Sequence, residues 1–214
     1  MSRDAPKPRG ATEVRAALLT AAGRLLGERP PGMISGRDLA DEAGVNYGLI
    51  HHYFGSKESV LREALAVLAA SYAVGDPDGE WSATDPFSMR HRPDYLRALA
   101  FASLTGQIAD LTSVNPVLEA SLADVTRRRG AVEPDEEIRI DVGLGAVYHL
   151  GYCLFEEFLA ESLDLEGGDR EAVEERLRLV LRAIVLGLDV GDAARGVRAE
   201  VSPGVSTRPS SVPG

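Results

Sequence analysis

Cysteine is almost missing from this chain of 214 residues: Cys153 stands alone, which excludes an internal disulfide framework and suits a reducing, cytoplasmic compartment. No window is apolar for the length that a membrane-spanning helix needs, and the charged start with Pro6 and Pro8 has no signal-peptide core. There is no phosphate-cradling glycine loop, no nucleophile elbow and no His-Glu-x-x-His pair, and only four histidines exist. The expectation is a non-enzyme with no catalytic residue, no metal, no cofactor and no membrane partner. Net positive charge is lacking too, at −10. The acid is unevenly spread: residues 1–72 hold nine Lys/Arg against eight Asp/Glu, and the remainder fourteen against twenty-five. The first third is therefore +1 and the rest −11, a modest local footprint for a polyanionic partner. An apolar content of 44% and a charged content of 26% are ordinary for a globular chain with ample core for a small domain and a larger one.

The most informative stretch runs from Ser35 to Phe54. Ser35 and Asp38 have capping-box spacing, and Leu39, Ala40 and Ala43 follow on one helical face. Gly44 stands where that helix must stop, because glycine accepts the left-handed conformation of a helix C-cap. Val45 closes the turn, and Asn46 is a good N-cap for a second helix. In that helix Leu49, Ile50 and Phe54 point inward, leaving Asn46, Tyr47, Gly48, His51 and His52 outside. Two short helices on a tight turn make a helix-turn-helix, whose second helix enters the DNA major groove. A plain αα-hairpin in a bundle is the other reading. Against it stand an outward face without Lys or Glu and the immediate Gly55-Ser56-Lys57-Glu58 junction, with Ser56 capping the next helix.

Residues 1–10 read as a disordered arm whose Arg3, Lys7 and Arg9 are available to phosphates or simply solvated. Thr12 to Gly27 is an amphipathic helix stopped before Pro30 and Pro31. Lys57 to Tyr72 is a further helix, long enough to leave the small domain (11–56) and enter a larger one (57–190). Val74 to Pro93 is turn chemistry, with Trp81, Phe87 and Met89 as apolar anchors. Helices are expected at 94–112, from Pro116 to Arg127-Arg128-Arg129, from Pro134 to Leu163, and from an Asp169 cap to Leu188. Apolar residues wrap most of the helix at 134–163, which predicts burial on several sides. In the last helix Val173, Leu177, Val180, Leu181, Ile184 and Leu188 form a coiled-coil-like seam. Residues 191–214 read as a disordered tail. The fold class is all-α.

From Val14 to Leu68, and above all over Gly44-Val45-Asn46-Tyr47-Gly48 and Ile50-His51-His52-Tyr53-Phe54-Gly55-Ser56-Lys57-Glu58, the chain resembles the DNA-binding domain of TetR-family transcriptional regulators. The resemblance covers about a quarter of the chain. It implies an N-terminal three-helix helix-turn-helix domain followed by a C-terminal helical domain for ligand binding and dimerisation. It also implies that Asn46, Tyr47, Gly48 and His51 lie closest to base edges, while Arg37, Tyr53 and Lys57, with Ser35 at the margin, hold phosphates. His52 is placed between the two roles. His51 stands where the family often has tyrosine, so base preference stays open and a protonatable ring there makes pH-dependent binding conceivable.

One helix-turn-helix offers little contact area, and such readers bind near-palindromic DNA as two-fold dimers. The seam at 173–188 is the expected homodimer interface; completing a monomeric core is its competing use. A ligand cavity between the later helices is expected, lined by Phe101, Gln107, Tyr148, His149, Tyr152, Cys153 and Phe155. The His149, Cys153 and Glu156 spacing is compatible with a metal, but a core histidine beside an inert thiol explains it more simply. The resemblance then implies a repressor released from double-stranded operator DNA by an unknown small apolar or amphipathic effector, acting through the helix at 57–72. The alternative is a helical small-molecule-binding or dimerisation protein without sequence-specific DNA binding. Deleting the residues after Gly191 is expected to leave melting temperature and DNA affinity nearly unchanged; thermal denaturation and a duplex titration check this.

Overall fold

The computed structural model describes residues 8–83, 85–111 and 115–188, and over them the chain is helical with no strand. The expected tail beyond Gly191, and Arg3 and Lys7 of the expected arm, lie outside the described residues. No helix among the described residues is long and apolar enough to cross a membrane.

Helix α1 (Ala11–Leu26) buries Val14, Leu18, Ala22, Leu25 and Leu26, the stripe that its 3.6-residue period lays on one side. Helices α2 (Gly36–Ala43) and α3 (Gly48–Phe54) add Leu39, Ala40, Ile50 and Phe54 to the same core. Ser56 caps helix α4 (Lys57–Val74) by accepting from the Ser59 N–H at 3.1 Å. Val60, Leu61, Ala64, Leu65 and Leu68 of α4 close that core. Fully burying a side chain such as Leu18 or Leu26 stabilises the fold by roughly 1.5–3 kcal/mol.

The last turn of α4 carries Tyr72 into the second half of the chain. The crossover after Gly75 is pinned as its apolar residues predict: Phe87 and Met89 are buried, and Trp81 lies between the Tyr72 and His91 rings at 5.8 and 5.3 Å. The helix expected over 94–112 is instead two. Helix α5 (Pro93–Leu104) stops at Gly106, whose φ is 70°, and α6 (Ile108–Leu111) follows. The Gln107 N–H closes the turn on the Ala102 carbonyl at 2.8 Å, and Thr105 Oγ1 caps the Phe101 carbonyl at 2.7 Å.

Helix α7 (Pro116–Arg128) is capped by Asn115, whose Oδ1 accepts from the Val117 and Leu118 N–H groups. Asp135 caps α8 (Glu136–Ser162) through the Ile138 N–H at 2.8 Å. Helix α9 (Gly168–Leu186) takes Gly167 as its N-cap, so Asp169 sits in the first turn rather than at the cap. The arginines ending α7 are spent internally. Arg127 and Arg128 bond Asp124; Arg129 pairs with Asp141 at 2.5 Å and donates to the Ile184 and Val185 carbonyls, closing the C-terminal end of α9.

Two sequence expectations change at this level. The helix at 134–163 is not buried all round: Ile140, Leu144, Val147, Tyr148, Leu154, Phe155 and Phe158 of α8 are exposed. Two residues of the α9 seam face inward, Ile184 being buried and Leu181 lining a cavity with it, while Val173, Leu177 and Val180 are half-buried and Leu188 is exposed. Helical periodicity defines an apolar face but not which neighbour covers it.

The first and second halves also meet away from α4. Arg97 Nε donates to the Gly27 carbonyl at 2.8 Å, and the Gly32 N–H donates to Gln107 Oε1 at 3.0 Å. A Cβ on Gly27 would lie 3.1 Å from the Asp94 Cα, so the end of α1 and the start of α5 are in backbone contact.

Candidate nucleic-acid interface and interior cavity

The turn between α2 and α3 is built by groups within a few residues of one another. Ser35 Oγ accepts from the Asp38 N–H at 3.1 Å while Asp38 Oδ2 accepts from the Ser35 N–H at 2.7 Å, a complete capping box. Hydrogen bonding from the Ser35 side chain and from its backbone N–H, with the Arg29 charge nearby, holds the Asp38 carboxyl below its ordinary range. Gly44 is left-handed (φ 66°, ψ 30°), and the Val45 N–H reaches back to the Ala40 carbonyl at 3.0 Å. Asn46 Oδ1 then accepts from the Gly48 N–H at 2.9 Å and starts α3.

On α3, Ile50 and Phe54 are buried and Leu49 and Tyr53 half-buried, which turns Asn46, Tyr47, Gly48, His51 and His52 outward. The outward groups are ordered by one another. His51 Nδ1 meets the Gly55 carbonyl at 3.0 Å, an acceptor only, so Nδ1 carries the proton in the neutral ring. Nε2 is then free to accept from the Tyr47 hydroxyl at 3.2 Å. The Tyr47 ring lies over α2 where Gly36 stands: a Cβ there would come within 2.6 Å of its Cε2. Gly36 was missed in the sequence because its φ is ordinary and only the ring from another helix explains it.

Arg37 and Ser35 border this surface, both exposed. Lys57 is placed differently from a free phosphate contact: its Nζ donates to the Ile34 carbonyl at 2.8 Å and lies 3.7 Å from Glu58. It ties the start of α4 to the entry of α2. Arg15, not singled out by the sequence, does the same for α3. Its Nη1 donates to the Tyr53 carbonyl at 2.6 Å, its Nη2 pairs with Glu63 at 2.7 Å, and its guanidinium lies 4.2 Å from the centre of the Phe54 ring.

A second feature is a cavity of about 450 Å³ enclosed by the end of α4, the crossover, α5, α7, α8 and α9. Its inner wall is Tyr72, Met89 and Tyr95, all buried. Of the seven residues expected to line a ligand site, only His149 does so. Tyr148 and Phe155 are exposed on α8, Gln107 is turned to Gly32, and Phe101, Tyr152 and Cys153 stand outside the cavity wall. Tyr148 and Phe155 face away from His149 on α8, whereas Tyr152 and Cys153 share its face but lie one turn further along, where Phe87 covers them.

His149 is held by a directed chain of bonds. The Phe87 N–H donates to Nδ1 at 3.1 Å, which places the proton on Nε2, 3.4 Å from the Tyr72 hydroxyl. Tyr72 in turn meets Ser88 Oγ at 2.7 Å, and Ser88 donates to the Ala83 carbonyl at 3.3 Å. Burial first, and the Arg90 charge second, push the His149 ring down to about 4. Burial likewise raises Tyr72 to about 12 and Cys153 to about 11, so neither ionises near neutrality. Cys153 Sγ donates to the Phe87 carbonyl and Glu156 pairs with Arg90, so the His149–Cys153–Glu156 spacing closes on protein groups. Among the described residues no group of three or more His, Cys, Asp or Glu is arranged to hold a metal ion.

Against known proteins, the family profile of bacterial regulatory proteins of the tetR family matches residues 18–64. The chain is 31% identical over 178 residues to the HTH-type transcriptional repressor Rv3405c of Mycobacterium tuberculosis, covering 80% of this chain and 87% of that protein. It is 44% identical over 54 residues to the HTH-type transcriptional regulator BetI of Agrobacterium fabrum, covering 25% and 26% of the two chains. The crystal structure of a tetR-family transcriptional regulator from Streptomyces coelicolor superposes with a TM-score of 0.56 at 20% identity, over 89% of this chain and 90% of that one, a likeness of fold.

The neutral His149 has a measurable consequence. Its ordinary value is 6.5 and its folded value about 4, so the unfolded chain binds the extra proton first as pH falls. Stability is whole above about 6.5 and is lost progressively down to about 4, by roughly 3 kcal/mol from this ring. Denaturant unfolding across that range is expected to show the slope in the native chain and to lack this part of it in His149→Asn, which keeps an acceptor for the Phe87 N–H but does not titrate.

Proposed function

The chain belongs to the TetR family of bacterial regulatory proteins, and on that premise we propose that it is a dimeric transcriptional repressor that reads a near-palindromic DNA operator with α3 and is released by a small ligand. The observation that carries the DNA reading is Gly48. It sits at the first position of α3 with an ordinary helical φ, and a Cβ there would meet only Asn46 Oδ1, at 3.4 Å. With no side chain at that position, the first turn of α3 is open to close approach by something outside, and a base edge in a major groove is such a surface.

Around Gly48 the outward groups divide by chemistry. Tyr47, His51 and the Asn46 amide offer hydrogen-bonding groups and planar faces suited to base edges, already held in place by the Tyr47–His51 pair. Arg37 and Ser35, at the α2 N-terminus, suit phosphate oxygens, with His52 and Tyr53 further along α3. Lys57 acts there chiefly by fixing α2 against α4, since its ammonium already serves the Ile34 carbonyl.

For the dimer, the supporting observation is the exposed face of α8. Ile140, Leu144, Val147, Tyr148, Leu154, Phe155 and Phe158 lie within an arc of about 120° on a helix at the chain surface. An apolar stripe of that length is unusual on a monomer and marks an interaction face. A two-fold copy of itself is the partner that the family premise favours. The seam at Leu181 and Ile184 is left to line the cavity, where an effector would act. Tyr72 belongs to both the cavity wall and α4, which gives occupancy of the cavity a direct route to the orientation of α3.

Two experiments test this. Gly48→Ala is expected to leave melting temperature unchanged or slightly raised while operator affinity falls on the order of tenfold; Arg37→Ala is expected to weaken operator and random duplex alike and to lessen the salt slope by about one. Undiminished operator binding by Gly48→Ala contradicts the docking face. Phe158→Glu is expected to give folded monomers by light scattering, with operator affinity reduced on the order of 100-fold as the two half-sites uncouple; an intact dimer places the interface elsewhere.

A further inference from the structure

The charges around the cavity of the second half are unequally satisfied. Its three acids are engaged: Asp85 Oδ2 accepts from the Ser82 N–H at 2.6 Å, Asp124 takes both Arg127 and Arg128, and Asp141 pairs with Arg129 at 2.5 Å. Of its three arginines, Arg128 shares Asp124, and Arg178 pairs with Glu174 at 2.7 Å and Glu175 at 3.5 Å. Arg182 makes no hydrogen bond or ion pair among the described residues, and it lines the cavity one helical turn beyond Arg178. Cations at i and i+4 repel one another. This arginine-rich rim lies in the part of the chain whose composition is −11 (fourteen Lys/Arg against twenty-five Asp/Glu over residues 73–214).

The two ends of the cavity differ in the same sense. The inner end is apolar or neutral: Met89, Leu99 and Leu150 stand beside Tyr72, Tyr95 and the uncharged His149 ring. Arg128 and Arg182 are exposed and mark the outer end. A ligand that satisfies both ends has a hydrocarbon body and one negative head. A cation finds two of the three carboxylates already paired with arginines and the third, Asp85, held by the Ser82 N–H, and a neutral apolar molecule leaves the Arg182 guanidinium with water alone. The planar fork of a guanidinium pairs best with the oxygens of a carboxylate or phosphate.

We propose that the cavity between α5, α7, α8 and α9 binds an amphipathic monoanion, its chain against Met89, Leu99 and Leu150 and its oxyanion head on Arg182. This rests on the reading that the cavity serves an effector, and it adds the effector's chemical class. The volume of about 450 Å³ is within the usual range for small-ligand pockets and holds a medium-length acyl chain.

The test is direct binding to the full chain, apart from any DNA readout, by calorimetry with decanoate, 1-decanol and decylamine below their aggregation limits. Decanoate is expected to bind at least tenfold more tightly than decanol, and decylamine not measurably. Arg182→Gln is expected to lower decanoate affinity on the order of tenfold and leave decanol unchanged, with Arg182→Lys between. Gly145→Leu is expected to abolish both while the protein stays folded, because a Cβ there meets only Leu181, at 3.9 Å. Equal affinities for the three head groups, no binding by any of them, or indifference of decanoate to Arg182→Gln overturns the proposal. Decanoate that binds through Arg182 yet fails to release operator DNA leaves the proposal standing and refutes the effector role of the cavity. Loss of operator binding in the ligand-free chain refutes the regulator reading instead.

Discussion

One uninterrupted helix that packs on the helix-turn-helix at one end and reaches the cavity wall at the other is the constraint on which the rest of this structure depends. Over its first three turns α4 buries Val60, Leu61, Ala64 and Leu65 against α1 and the helix-turn-helix; its last turn delivers Tyr72 to the wall of the interior cavity. A packed helix resists bending within its length, so displacement at one end is carried to the other rather than absorbed. The Arg15 and Lys57 clamps extend this stiffness to α3 and α2, since Arg15 holds the Tyr53 carbonyl and Lys57 the Ile34 carbonyl against the helices behind them. Contacts of α5 with Gly27 and Gly32 add a second attachment, so the small N-terminal unit is held at two places.

The same economy governs charge. Several of the chain's cations are paired within the protein: Arg15 with Glu63, Arg24 with Glu28 and Glu42, and Arg127 to Arg129 with Asp124 and Asp141. Arg129, among the less exposed of these, closes the end of α9 and pairs across to α8, so removing it would strand a carboxylate and two carbonyls together. Arg37 beside α3 and Arg182 beside the cavity make no such pair among the described residues, and both border surfaces suited to a negatively charged partner. With a net charge of −10, long-range attraction to DNA is weak, so on the proposed reading discrimination falls to short-range contacts at α3.

His149 links the two themes. Its ring accepts from the Phe87 backbone and faces Tyr72, so it stays neutral inside a rim of arginines and joins α8 to the end of α4 through the crossover. The neighbouring Cys153 thiol is raised by burial and donates to the Phe87 carbonyl, so both side chains of the histidine–cysteine spacing on α8 are taken up by the crossover.

The segment from Ser35 to Phe54 was legible almost residue by residue: the capping box, the left-handed Gly44, the Asn46 cap and the outward set on α3 all stand where the sequence places them. Helix starts at Ser56 and Pro116 were equally plain, because caps and turns are satisfied by groups three or four residues away. Helix existence and the helix-turn-helix geometry were thus determined by the sequence alone. Only the tertiary structure decided which apolar face meets which neighbour. It turned Leu181 and Ile184 inward and Val147 and Phe158 outward, gave Gly36 its purpose under the Tyr47 ring, and left His149 alone of seven candidates on the cavity wall. The physical reason is that a period of 3.6 residues fixes a face relative to the helix axis, while the rotation of that axis in space is set by packing partners tens of residues distant.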